Sequence, residues 1–197
     1  MKTVKNYLLM TAALVMMIFT YGCGNQVNPA ASIKSTNAVD AALTLFNQGK
    51  TLEAVGNLTE IIKSDPNNSE AFRVLGDIFF SKNELDRAEA FYMRAAELNS
   101  SNGLLYDSLG QLQIKKNNAQ AAVQFFMKAA EKNPRLPDPY YHLGILALAS
   151  KETDAAINFL KKALSVDPNH APTLAVVAQL EQVAKKVEET QGAPAAQ

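Results

Sequence analysis

The chain has 197 residues, 48 % of them apolar and 19 % charged, which describes a globular protein of one domain plus a targeting segment and excludes a disordered chain. Its 19 basic and 19 acidic residues cancel, so there is no basic footprint for a nucleic acid. Cys23 is the only cysteine, and no intrachain disulfide can form.

The chain begins MKTVKNYLLMTAALVMMIFTYGC. Lys2 and Lys5 precede an uncharged apolar run from Tyr7 to Tyr21. As a helix that run is roughly 22 Å long, shorter than the span of about 20 residues that a bilayer requires. A charged start, a short apolar core and a small residue at its end predict a secretory leader; an uncleaved anchor helix is the alternative. The closing FTYGC resembles the lipobox of bacterial lipoprotein signal peptides, with Gly22 before Cys23. That resemblance implies a cleavable signal helix over 1–22, a diacylglyceryl group on the Cys23 thiol, and a second fatty acyl chain, such as palmitate, on the new amino terminus. Two chains hold a protein stably on a membrane, where one does not. Gly24 follows the cysteine in place of aspartate, which in a Gram-negative host implies the periplasmic face of the outer membrane. Without Lys2 and Lys5, 17 basic residues face 19 acidic ones, a mildly acidic balance. Residues 23–36, small and polar after the cysteine, predict a flexible tether with a reach of roughly 20 Å.

Further along, Leu75–Gly76, Leu109–Gly110 and Leu143–Gly144 recur at intervals of 34 residues. A glycine inside a helix costs about 1 kcal/mol relative to alanine, so its return at one position points to a geometric need. Placing it eighth in a 34-residue unit defines the units 69–102, 103–136 and 137–170. Four residues before each glycine stand Phe72, Tyr106 and Tyr140; twelve after it stand Ala88, Ala122 and Ala156. Tyr92, Phe126 and Leu160 follow, then Ala95, Ala129 and Ala163, and the units close on NSSN, NPRL and DPNH. Each unit predicts two antiparallel helices about a polar turn such as SKNE or KKNN. Gly76 and Ala88 are expected where the paired helices cross, with Phe72 and Tyr92 filling the space beside them.

This pattern resembles the tetratricopeptide repeat (TPR) family. The resemblance implies an all-α, right-handed solenoid of about four helix-turn-helix repeats. A divergent first repeat occupies 37–68: Ala54 and Pro66 fit, but Ala38, Ala41 and Ala42 replace the aromatic and the Leu-Gly pair. Terminal repeats are often atypical because one side faces solvent. After the last repeat, Val176, Leu180, Val183 and Val187 form a one-face stripe, which predicts a capping helix over 171–189; a partner-binding helix is the alternative. Residues 190–197 show no apolar periodicity and predict a disordered tail.

In the family, the first helix of each unit lines a concave groove. Carried over by position, the groove residues here are Glu70, Arg73, Asp77 and Phe80; Leu104, Asp107, Gln111 and Ile114; and Asp138, Tyr141, Ile145 and Leu148. The first repeat adds Val39, Leu43 and Phe46. Phe46, Phe80, Ile114 and Leu148 share one register position, a candidate apolar stripe for a ligand or a feature of inter-repeat packing. The surrounding carboxylates favour a protein or peptide partner with apolar and basic residues. The carboxylate-clamp branch of the family needs lysine, arginine and asparagine here, and only Arg73 is basic.

His142 and His170 stand in no catalytic spacing, and His142 lies i+4 from Asp138, an ordinary helix-surface pair. No HExxH or CxxC metal cluster and no glycine-rich phosphate loop occurs. The sequence thus predicts no catalysis, cofactor, metal site or small-molecule substrate. The resemblance implies a membrane-anchored scaffold or assembly factor in the bacterial cell envelope. Two branches stay open: factors that assist type IV pilus secretin assembly, and adaptors for cell-wall hydrolases.

Overall fold

A computed structural model describes the backbone over residues 29–191 and side chains over 37–185. The leader, Cys23 and the end of the tail lie outside the described residues. Two compact units divide after Asn37. The described part of the first, 29–37, is helical and belongs to α1 (Pro29–Asn47). That helix starts inside the stretch whose composition predicts a tether. Proline is suited to the first helical position, and Ala30 to Thr36 contain no breaker.

The second unit continues with α2 (Thr51–Ser64), α3 (Ser69–Ser81), α4 (Leu85–Leu98) and α5 (Gly103–Lys115). It ends with α6 (Ala119–Lys132), α7 (Asp138–Ala149), α8 (Thr153–Val166) and α9 (Ala171–Gln191). No strand occurs among the described residues. Helices α3 and α4 pair, as do α5 with α6 and α7 with α8; each first helix also touches the second helix of the unit before it. This is a solenoid of helical hairpins.

Two recurring turns make the stack. Within hairpins, Gly49, Asn83, Asn117 and Lys151 adopt positive φ of 79°, 61°, 59° and 63°. The next residue's N–H then reaches back five positions: Glu84 to the Phe79 carbonyl and Glu152 to that of Ala147, both 2.9 Å. This is the left-handed C-terminal stop of a helix. Between hairpins, Asp65, Asn99, Asn133 and Asp167 each accept the amide of the residue two ahead at 3.0–3.2 Å. Asn68 and Asn102 then cap α3 and α5 by accepting the amide three residues on, and within a hairpin Asn118 caps α6 in the same way.

The core follows the register. Ala54, Ala88, Ala122 and Ala156 are fully buried, and beside them Leu58, Tyr92, Phe126 and Leu160 are almost so. Each glycine has a large side chain lying across it. A Cβ on Gly76 would stand 2.4 Å from two carbons of the Tyr92 ring; on Gly110 it would meet the Phe126 ring at 2.4 Å, and on Gly144 the Leu160 side chain at 2.9 Å. The glycine therefore seats the large residue of the second helix. Phe72 packs against the same core, with Phe91 at 6.4 Å between centroids.

Candidate functional site: the face of the first helices

On α3, Arg73 is held from both sides. Its Nη2 contacts Glu70 Oε1 at 2.6 Å, and its Nη1 reaches Asp77 one turn on. Asp77 also accepts hydrogen bonds from the Tyr92 hydroxyl at 2.8 Å and from Ser108 of α5 at 3.3 Å. Asn102 donates across the repeat boundary to Glu70 at 3.4 Å. Burial works against the Arg73 cation, yet its two carboxylates outweigh that and hold the guanidinium above its ordinary value. Burial pushes the Asp77 carboxyl up, while Arg73, Tyr92 and Ser108 restrain it. Burial, then the neighbouring Asp77 charge, raises the Tyr92 phenol.

The next repeat presents Asp107 differently. It is 7 % exposed and accepts one bond from Gln111 Nε2 at 2.8 Å. Its Oδ1 is buried with no hydrogen-bond partner among the described residues. Burial raises this carboxyl to about 6, the Gln111 bond opposes the rise, and the Asp138 charge adds to it. His142 Nε2 stands 4.0 Å away, and its ring stacks on Phe126 at 4.6 Å between centroids. Burial lowers the His142 imidazole, against the pull of Asp138.

Asp138 pairs with His170, not with the helical neighbour that spacing suggests. His170 Nε2 lies 3.1 Å from Asp138 Oδ1, and its Nδ1 is 2.6 Å from the Thr173 hydroxyl at the start of α9. Tyr141 sits near both imidazoles, at 5.2 and 5.8 Å between centroids. His170, Ser108, Asn102 and Thr173 were absent from the sequence-derived set. The register did carry a signal for two of them: Asn102 to Glu70 and His170 to Asp138 are the same pair of positions, two units apart.

The apolar positions divide by exposure. Leu104 and Ile114 are 47 % and 40 % exposed. Phe80, Ile145 and Leu148 are half-buried, and the Lys115 ammonium lies 4.3 Å from the Phe80 ring centroid. Leu43 and Phe46 are also half-buried, whereas Val39 is a core residue and offers nothing to a ligand. The face thus combines accessible aliphatic groups with four carboxylates and one guanidinium already engaged by two of them. It has the chemistry of a binding surface, and no described group of three or more His, Cys, Asp or Glu could hold a metal ion.

A stack of helical hairpins bearing such a face is a protein-interaction scaffold. The tetratricopeptide repeat family matches over residues 39–103 and again over 113–180. The chain belongs to this family, whose fold is typically a protein-interaction module. No functionally curated protein matches the sequence. Among solved structures, PilF of Pseudomonas aeruginosa is similar at 20 % identity and TM-score 0.71, over 82 % of this chain and 74 % of that one. PilW, described as a widely conserved type IV pilus biogenesis factor, is similar at 21 % identity and TM-score 0.68, over 82 % and 72 %. MamA is similar at 23 % identity and TM-score 0.60, over 70 % and 80 %. At these identities the likeness is one of fold.

Proposed function

We infer that this protein is a lipid-anchored, non-catalytic adaptor of the bacterial envelope whose first-helix face holds an apolar and basic segment of a protein partner. The observation that carries the reading is the composition of that face. Leu104 and Ile114 are exposed among Glu70, Asp77 and Asp138, and Arg73 is spent on two of those carboxylates. An acidic tail would meet like charge there, because one guanidinium is set against several carboxylates, while a lysine or arginine would meet complementary charge. The anchor reading rests on Gly22–Cys23 at the end of the leader. No described helix is long and apolar enough to cross a membrane; on this reading the lipid on Cys23 holds the chain at the surface. Confinement to a surface raises the effective concentration of partners on the same membrane.

Assistance to pilus assembly is favoured over a hydrolase adaptor by the fold likeness to PilF and PilW. Two experiments test the proposal. Labelled palmitate should enter the wild-type protein and not Cys23→Ser; equal labelling removes the anchor. Phe80→Ser with Ile114→Ser should weaken capture of envelope proteins at unchanged helix content; undiminished capture removes the groove.

A further inference from the structure

Away from that face, the junctions between repeats are filled differently although their register is the same. In the second hairpin, Phe79 of α3 occupies the space against α4. Its ring is buried, stacks on Phe91 at 5.2 Å, and lies under the Arg87 guanidinium at 3.8 Å. One unit on, Gln113 stands at the position of Phe79. Gln113 and Lys116 both donate to Glu89, at 3.1 and 2.6 Å, and Lys116 also pairs with Asp86 at 3.0 Å. A further unit on, the equivalents of Glu89, Gln113 and Lys116 are Val123, Ala147 and Ser150. Neither a ring nor an ion pair fills that place. A hollow of about 390 Å³ remains, walled by Val123, Leu143, Leu146 and Phe159. Ala147 and Ser150 lie about 200° around α7 from Ile145 and Leu148, on the side away from the groove positions.

We propose that this hollow is a second docking socket, taking an aromatic or leucine side chain that has a lysine or arginine beside it in a protein partner. The register identifies the anchor: Phe79 shows that a phenyl ring fits between the corresponding helices, against Phe91, whose equivalent here is Phe159. Charge identifies the neighbour. At the preceding junction Lys116 answers Glu89 and Asp86. Here Ser150 has replaced the lysine, and Glu152, which lines the hollow, has no ion pair among the described residues. Met127, 58 % exposed, also lines it and supplies an adaptable edge. Concave apolar sites with a few polar groups are where ligands gain most contact.

The test is a phage-displayed random peptide library selected on the full chain. Recovered peptides are measured against three variants: Ala147→Phe, which supplies the ring from within; Val123→Glu with Ala147→Gln and Ser150→Lys, which copies the preceding junction; and the exposed reversal Glu152→Lys, which leaves the packing untouched. Circular dichroism and Tm establish that each is folded. Peptides carrying Phe or Leu beside Lys or Arg should lose at least about tenfold in affinity on the filled and reversed variants. They should keep it on Phe80→Ser with Ile114→Ser. An empty selection, peptides without that pair, or affinities unmoved by Glu152→Lys overturn the proposal. So does a wild-type dimer that the filled variants dissolve, because the occupant would then be a second copy.

Discussion

Replacing Gly76 by alanine adds one methyl group at the tightest point of the second hairpin. The new Cβ would stand 2.4 Å from Cδ1 and Cε1 of Tyr92, where carbon atoms settle at about 3.5–4.0 Å. Tyr92 cannot swing aside freely, since it is 1 % exposed and its hydroxyl donates to Asp77 at 2.8 Å. Overpacking of this kind costs about 1–3 kcal/mol, and the gain in helix propensity returns about 1 kcal/mol. Because the ring is held at both ends, the upper half of that range applies, and a net loss of about 1–2 kcal/mol is expected. At Gly144 the clash is 2.9 Å and falls on the flexible Leu160. There the two terms nearly cancel, and Gly144→Ala should change stability by less than about 1 kcal/mol. The first repeat already combines these features, with buried Ala42 and Leu58 at the same two positions. Urea unfolding followed at the helix band, with Tyr92→Leu completing a double-mutant cycle, measures the coupling. Gly76→Ala should be milder in the Tyr92→Leu background than in wild type. Equal effects in both backgrounds, or a Gly76→Ala protein as stable as wild type, would refute the seating argument.

Other perturbations have equally definite outcomes. The folded state raises the Asp107 carboxyl from 3.8 to about 6, so it holds a proton more tightly than the unfolded chain does. Stability from this group is then greatest below about pH 4, declines as pH rises through about 6, and is level above that. The gap corresponds to about 3 kcal/mol at most; Asp107→Asn should be more stable than wild type by up to that amount at neutral pH and equal to it in acid, as read by urea midpoints. Tyr92→Phe removes one of the donors to Asp77 and should cost about 1 kcal/mol, with the helix content kept. Lys151 is an exposed non-glycine residue at φ 63°; Lys151→Gly should raise Tm by relieving about 1 kcal/mol of left-handed strain.

Much of the fold was legible because a solenoid repeats its contacts. Gly76, Gly110 and Gly144 mark one helix position, and the alanines and large residues that follow at set intervals mark its partner. The start of α1 was not legible, since Pro29 to Thr36 carry a linker's small polar composition and no periodic apolar face. At the site, the register located the carboxylates but not their bonds. Asp138 looks toward His142 along the helix, but the stack brings His170 of the same unit's end within 3.1 Å. Asp107, placed by position on an accessible face, is buried, with His142 of the next unit 4.0 Å away and that ring stacked on Phe126 of Asp107's own unit. Such outcomes depend on side-chain volume across a junction, which a one-dimensional period does not contain. The same applies at Ala147, where small residues read as ordinary helix formers and leave a hollow only because Phe79 and the Glu89–Lys116 pair fill the equivalent places.

The claim that the first-helix face binds apolar, basic protein segments is tested most directly by calorimetric titration of the full chain with two amphipathic helical peptides. Their apolar residues are identical, and their polar faces carry lysine and arginine in one and aspartate and glutamate in the other. The basic peptide should bind, weaken as salt is added, and weaken again in Phe80→Ser with Ile114→Ser. Binding of the acidic peptide with equal affinity, or of the basic peptide unaffected by the groove variant, would contradict the account.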